Sequence, residues 1–521
     1  MQGAAAGQQA QARARLRRKR RIRGVATIAG PPASGTSMSA PATLIETLLS
    51  PVVGGINRVL WDYLLVYGLL AVGLFFTVRL RLLQLRRFTH MLSLVRPGQG
   101  GDASGISPFQ ALATSLASRV GTGNLAGVAI ALSLGGPGAL FWMWCTAVVG
   151  MATAYAESSL AQLYKVRDAA GQYRGGPSYY MTLGLGRRWM GVAFAVALLV
   201  SYGAVFSSVH ANAIGQSMGE AFGLSPLVVA GVLVVLTAAV IFGGLRRVAR
   251  VAEWVVPFMS VAYLGLAGWV VVTNLGEVPA VLAQVLRSAF GLDAAAGGIL
   301  GAITVAMLQG VKRGLYSNEA GMGSAPNIAA AATPVPHHPA SQGLVQSLGV
   351  FIDTLLICSA TGFVILLSGV LGSEGDGVLL TQRAVGVFFG DFGVVFVAVA
   401  LFFFAFTTII GNYSYAETNL LYLGGGRSGL LVLRLVTLAV ISWGVFSRVQ
   451  VVWDAADASM AVMASINLVA IVLLSGVVVK LTRDYDSQLR AGRTPEFDAG
   501  RFPEFGAGVD AAIWRPRRRR D

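Results

Sequence analysis

The chain is short of charge. Charged residues make up 12% of its 521 positions, against about 25% in an ordinary soluble domain. That shortage excludes a solvated globular surface over most of the length. Cysteine is scarcer still. The two present, Cys145 and Cys358, lie in apolar runs without CxxC spacing. This excludes a disulfide framework and a thiolate metal site, and both read as inert packing residues. There are four histidines, and two of them, His337 and His338, share one Pro-rich loop, so little is left for a metal or acid–base centre. The sequence holds no HExxH or Walker string, so a zinc hydrolase and a nucleotide-driven pump both lack their signatures.

What the sequence has in quantity is apolar length. Hydrophobic residues are 55% of the chain, and they gather into runs such as Val59–Val78, Leu140–Leu160 and Leu227–Ile241. A bilayer is spanned by about 20 such residues. A chain in lipid must satisfy its backbone internally, so runs of this kind mean helices. The pattern predicts an all-α polytopic membrane protein of about eleven spans, near 59–79, 107–133, 138–163, 188–218, 226–244, 253–273, 297–316, 341–370, 382–412, 429–447 and 457–480.

The net charge of +16 does not point to nucleic acid, because no stacking platform or groove-reading module accompanies it. Basic residues instead fall in alternate loops: Arg81, Arg86, Arg87 and Arg96; Lys165, Arg167, Arg174 and Arg187; Arg246, Arg247 and Arg250; and the terminal run Arg517–Arg520. The loops between hold almost none, with Arg287 alone in 274–296. The positive-inside rule makes the first set cytoplasmic, which puts the C-terminus inside and the N-terminus outside the cell (inner) membrane. The basic run Arg13–Arg23 then breaks the rule. It lies in a tail, 1–44, with no apolar core of a signal peptide behind it, and Met38 is the expected functional start.

Two segments interrupt the helical pattern. In the second span, Arg119-Val120-Gly121-Thr122-Gly123-Asn124 sets two glycines around a threonine, which is costly inside a helix. In the seventh, the stretch Gly310–Gly323 is rich in glycine and polar residues. The bland reading is a small-residue packing face. The sharper one is a pair of broken helices five spans apart. An odd count inverts the second repeat, so residues 107–273 and 297–480 become two inverted halves after one extra helix in 45–106, with a C-terminal cytoplasmic tail at 481–521. Broken helices in inverted halves mark secondary transporters. Their half-helix N-termini hold a carboxylate, and their freed carbonyls hold a cation.

Several strings sharpen this. Ser115–Gly127, Gly135–Trp144, Gly175-Gly176-Pro177, Ser317–Pro326 and Phe404–Gly411 resemble, in order, those of the alanine-or-glycine:cation symporter family, the sodium:alanine symporters. The resemblance runs over roughly 45–485 and implies a LeuT-type fold of five plus five inverted helices. It also implies a sodium-coupled symporter of a small neutral amino acid that works as a single chain by alternating access, with no cofactor beyond the coupling ion. By that resemblance Gly121, Thr122, Gly123 and Asn124 supply amides for the substrate carboxylate, and a second break around Ala306–Gly310 faces them. Thr407 and Thr408, with the carbonyls of Ala117 and Val120, hold sodium; Thr408 also borders the substrate. Taken alone, the two threonines read equally as hydroxyls bonding back to their own helix.

Two departures bear on the substrate. Where the family commonly has Trp, four residues after the second Thr, this chain has Asn412. Where it often has Gln-Ala-Asn, this chain has His210-Ala211-Asn212. Both changes add polar groups to an alanine-sized pocket, favouring a larger or more polar neutral amino acid such as glutamine. A buried His210 with a satisfied ring is the plain alternative, and a titrating one would alter coupling. Arg119, Glu157, Asp353 and Glu417 are ionisable groups within apolar spans, which marks each as a functional candidate. Arg119 is expected to need a carboxylate partner, and Glu319 to belong to a cytoplasmic gate. The rivals to the symporter reading are a proton-coupled carrier, a membrane-embedded enzyme and a channel. A channel filter usually forms on an oligomer axis, whereas two breaks in one chain put the site inside it.

Overall fold

The structure is a computed structural model that describes residues 40–95, 104–243, 245–292, 298–373, 377–506 and 508–515. The basic run Arg13–Arg23 and Met38 lie outside the described residues. The described chain is almost wholly helical, with one two-stranded hairpin, β1 (Val166–Arg167) against β2 (Tyr173–Arg174). Among the described residues, eight helices are long and apolar enough to cross a membrane, which makes this a multi-pass membrane protein.

In chain order the main helices are α1 (Ser50–Arg79), α2 (Pro108–Arg119), α3 (Gly123–Gly135), α4 (Gly138–Leu163), α5 (Arg188–Phe222) and α6 (Pro226–Ile241). There follow α7 (Leu245–Thr273), α8 (Val278–Ala289), α9 (Ile299–Asn318), α10 (Pro326–Ala330) and α11 (Pro339–Ser368). The last are α12 (Val378–Phe389), α13 (Asp391–Tyr422), α14 (Arg427–Phe446), α15 (Val449–Leu473) and α16 (Ser475–Arg490). α9 and α11 both pack along α4, while α13 packs against α2 and α5. Large apolar side chains such as Leu227, Val235, Trp254 and Phe258 remain exposed on the outer helices, as lipid-facing surface must.

The second span divides where its sequence says it should. Ser107 caps α2 with a reciprocal capping box to Gln110, and Val120 turns extended at its end. The second interruption differs from expectation. α9 runs unbroken through Ala306–Gly310, because Gly310 serves close packing against Ala139 and Trp142 of α4. The helix stops instead at Glu319, which is left-handed, followed by Gly321 and Gly323 with positive φ. Two further bounds move. The span expected over 382–412 divides at Gly390, whose positive φ separates α12 from α13. The one over 457–480 divides at Leu474 between α15 and α16. α16 is amphipathic and leaves the apolar pattern early.

The C-terminal segment is packed. Phe497 and Trp514 are fully buried. The Phe497 amide donates to His337 O at 2.9 Å and Trp514 Nε1 to Leu163 O at 3.1 Å. The segment thus ties the ends of α4 and α16 to the loop before α11.

Candidate functional site

The break between α2 and α3 is held open by side chains. The Gly121 amide donates to Asn124 Oδ1 at 2.9 Å, so the asparagine satisfies a backbone group that the interrupted helix leaves free. Both glycines are there for close approach. A Cβ on Gly121 would lie 2.5 Å from Thr408 Oγ1, and one on Gly123 would lie 3.0 Å from Ser317 Cα. The break is thereby pressed between α13 and the end of α9.

Thr408 meets it from α13. Its single hydroxyl faces three carbonyl oxygens: Ala117 at 2.8 Å, Phe404 at 2.9 Å and Val120 at 3.5 Å. One proton cannot serve three acceptors. Lone pairs from two helices therefore converge on one oxygen, an arrangement suited to a hard monovalent cation. Thr407 behaves otherwise: its hydroxyl donates to Phe404 O at 2.9 Å, on its own helix. The structure brings Ala117, Val120 and Thr408 together and turns the Thr407 hydroxyl back on α13.

His210 comes from α5 and is buried. Its Nδ1 lies 2.7 Å from Thr122 Oγ1, and Tyr316 OH lies 3.3 Å from the same hydroxyl. Its Nε2 has no partner among the described residues. Asn412 stands one turn beyond Thr408 on the same face of α13. It is 0% exposed, and neither its Oδ1 nor its Nδ2 has a partner among the described residues. A buried amide left unpaired costs about 1–3 kcal/mol, which is a reason to look for what it binds.

An aromatic wall closes one side. Phe206, Tyr316 and Trp453 run ring against ring, with centroids 5.0 and 4.6 Å apart. Behind Trp453, Arg313 makes a two-point ion pair with Asp457 at 3.0 and 2.9 Å, and Lys312 joins at 3.2 Å. Toward the hairpin, Arg174 pairs with Glu417 at 3.1 Å and with Asp168 at 3.0 Å. These two ion-pair clusters bracket the break from either side along the helices.

The other buried ionisable groups are placed as follows. Arg119 does not meet a carboxylate as expected. Its guanidinium donates at 3.3 Å to the Gln346 carbonyl and to the Gln346 side chain, because α11 presents an amide at that level. Glu157 accepts from the Gly321 amide at 3.2 Å and from Asn467 at 2.8 Å. Glu319 accepts from Ser324 at 2.7 Å. Cys358 is not in plain packing. Its sulfur lies 3.1 Å from Ser317 Oγ and 3.3 Å from Asn124 Nδ2. Sequence reasoning passed over Lys312, Arg313 and Asp457. The signal was present, since opposite charges inside apolar spans are each too costly to bury alone.

Comparison with known proteins gives the chain's family and relatives. The sodium:alanine symporter family matches residues 46–499. A probable sodium/glutamine symporter of Bacillus subtilis (strain 168), GlnT, is 46% identical over 455 residues, covering 87% of this chain and 94% of that protein. The amino-acid carrier protein AlsT of the same organism is 46% identical, covering 87% and 96%. The sodium/alanine symporter AgcS of Methanococcus maripaludis is 38% identical, covering 84% and 97%. The chain belongs to the sodium:alanine symporter family, and it is a sodium-coupled amino-acid symporter rather than an enzyme.

Proposed function

We propose that this chain imports a neutral amino acid with a polar side chain, glutamine foremost, together with sodium, by alternating access around the Gly121–Asn124 break. The observation that carries the substrate is Asn412. Its amide is buried beside the proposed ion site, with neither hydrogen-bonding atom paired among the described residues. A side-chain amide on the substrate satisfies a donor and an acceptor at once, whereas a methyl group leaves both wanting. The glutamine in the printed name of one relative supports the same choice.

In this reading the substrate carboxylate rests on the amides of Thr122, Gly123 and Asn124, with the Gly121 amide turning to it from Asn124 Oδ1, at the N-terminus of α3 where the helix dipole favours an anion. Thr122, His210 and Tyr316 border the substrate on one side, and Thr408 and Asn412 on the other. Sodium sits against Ala117 O, Val120 O and Thr408 Oγ1, with Thr407 rotating in to add an oxygen. The core is of the LeuT type, five helices and their inverted repeat behind α1, in one chain. It lies in the cell membrane with the C-terminus cytoplasmic. The Lys312/Arg313–Asp457 cluster is the outer closure and the Arg174–Glu417 cluster the inner.

Uptake of labelled amino acids into proteoliposomes tests this. Glutamine should accumulate with an inward sodium gradient, should not without one, and should be displaced by other polar neutral residues better than by alanine. Sodium-independent accumulation, or a strong preference for alanine, overturns the reading.

A further inference from the structure

Arg434 is a cation on the lipid-facing side of α14. Leu431, Val432 and Leu435 beside it are exposed, and the arginine itself is half-buried. It stands two turns into the helix, about 10 Å along the axis from Arg427. α14 packs along α6, and the side chain reaches toward the end of that helix. Its guanidinium carbon lies 4.9 Å from the centre of the Phe242 ring. Phe242 closes α6 and is exposed. The head of Arg434 is thus level with the end of α6 and the start of α14, the depth to which a long basic side chain snorkels.

Two contacts fix it. Nε donates to Tyr413 OH of α13 at 3.0 Å, and the Phe242 ring lies against the guanidinium. Among the described residues both partners are neutral. Glu417, one turn further along α13, faces the same phenol, but it is engaged by Arg174 at 3.1 Å. Neither α6 nor α14 contains an acidic residue. Arg427, on the same face of α14 as Arg434, adds a second exposed cation. With Nε held by Tyr413, the two terminal nitrogens of Arg434 keep their N–H groups for another acceptor. Such a planar fork matches two oxygens of a phosphate.

We propose that Arg434, seated by Tyr413 and Phe242 in the cleft between α6 and α14, binds the phosphate of an anionic phospholipid. Arg427 adds to the positive field, and the exposed Leu431, Val432 and Leu435 receive the acyl chains. A zwitterionic lipid fits less well, because its cationic head would meet two arginines and no carboxylate on either helix. Through Tyr413 the lipid rests against α13, the helix that carries Thr408, Asn412 and Glu417.

The test is lipid binding to the purified full chain in detergent, counted by native mass spectrometry, which needs no transport. The probes are phosphatidylglycerol, phosphatidylcholine and inorganic phosphate. Wild type should bind phosphatidylglycerol more tightly than phosphatidylcholine, and excess inorganic phosphate should not displace it. Arg434→Gln should weaken phosphatidylglycerol binding about tenfold, the share of a hydrogen bond between charged partners. Arg434→Lys keeps the charge and loses the fork, so it should fall between. Arg79→Gln removes another exposed arginine over an aromatic ring, Phe75 near the end of α1, and should change nothing. Equal phosphatidylglycerol affinity in wild type and Arg434→Gln, or an equal loss in Arg79→Gln, overturns the site. Equal binding of phosphatidylcholine to wild type overturns the choice of an anionic lipid, and displacement by inorganic phosphate overturns a lipid as the source of the anion. These last two comparisons use wild type alone, so they decide even if Arg434→Gln folds poorly.

Discussion

At the scale of single residues, the site divides into groups the sequence exposed and groups only the fold could. Asn412 was visible as a polar residue at a position the family fills with an aromatic ring, and its unpaired amide gives that departure a physical consequence. Asn412→Trp should fill the space and remove the amide, turning preference from glutamine toward alanine and glycine. One pocket group is worth about 1–3 kcal/mol, so the ratio should move by roughly 10- to 200-fold. Competition by alanine and glutamine against the best labelled substrate, in wild type and variant, measures it; an unmoved ratio removes Asn412 from the pocket. The threonines separate the same way. Thr408 touches Ala117 O and Val120 O, whereas the Thr407 hydroxyl binds Phe404 O. Thr408→Ala should therefore raise the sodium half-saturation about fivefold, and Thr407→Ala by less, since one oxygen contact is worth roughly 1 kcal/mol. Equal half-saturation across wild type and both variants would refute the ion site. Adjacent hydroxyls in sequence say nothing about which rotamer each takes, so this asymmetry was not legible beforehand.

At the scale of elements, the first break was readable because its cause is local. Two glycines and a capping asparagine within four residues defeat a helix by themselves. The second was misplaced because its cause is not local. Gly310 looked like part of the interruption, yet it allows α9 to press on α4, and the turn falls at Glu319, Gly321 and Gly323. A glycine that admits a neighbour and a glycine that bends the chain are alike in sequence. The spans over 382–412 and 457–480 ran across real helix ends at Gly390 and Leu474 because hydropathy continues through a turn that lies in an apolar setting. The close approach at the first break also makes a test. Gly121→Ala places a methyl 2.5 Å from Thr408 Oγ1, and forcing such contacts costs about 1–3 kcal/mol. The expected result is loss of most sodium-driven uptake in a protein that still inserts, with sodium affinity falling alongside substrate affinity. Gly231→Ala, where a Cβ meets nothing, should leave both unchanged. If Gly121→Ala transports normally, the break does not pack against α13 as described.

At the scale of the whole molecule, the segment beyond α16 matters because it joins elements far apart in sequence. Phe497 and Trp514 insert beside the ends of α4 and the loop before α11, and Lys165 lies over the Trp514 ring at 5.0 Å. Beneath it His338 meets Asp484 of α16 at 3.3 Å and packs against the Phe497 ring, and Arg501 of the segment meets the other Asp484 oxygen at 3.3 Å. Burial depresses the His338 pKa below its ordinary 6.5, with the Asp484 hydrogen bond opposing in part. Burial pushes the Asp484 carboxyl up, but the His338 hydrogen bond and the charges of His338 and Arg501 outweigh it and hold the value low. Both shifts act in one direction. A histidine less basic when packed than when free favours the packed state above pH 6.5 and loses that advantage as the pH falls below it. A carboxylate held low adds stability that is lost in stronger acid. Docking should therefore be firm at pH 7.5 and weaken progressively below about pH 6.5. Trp514→Ala should loosen it at every pH, since removing a buried tryptophan costs about 3–5 kcal/mol. Limited trypsin cleavage at Arg493 and Arg501, followed from pH 8 down to pH 5.5 with a control substrate to correct for the protease, reads the docking directly. Cleavage should be slow and pH-dependent in wild type, and fast and nearly pH-independent in Trp514→Ala. In His338→Gln, which keeps a polar group but cannot be protonated, the component near pH 6 should vanish while slow cleavage at pH 7.5 remains. If His338→Gln keeps the wild-type pH profile, the histidine is not the anchor that titrates.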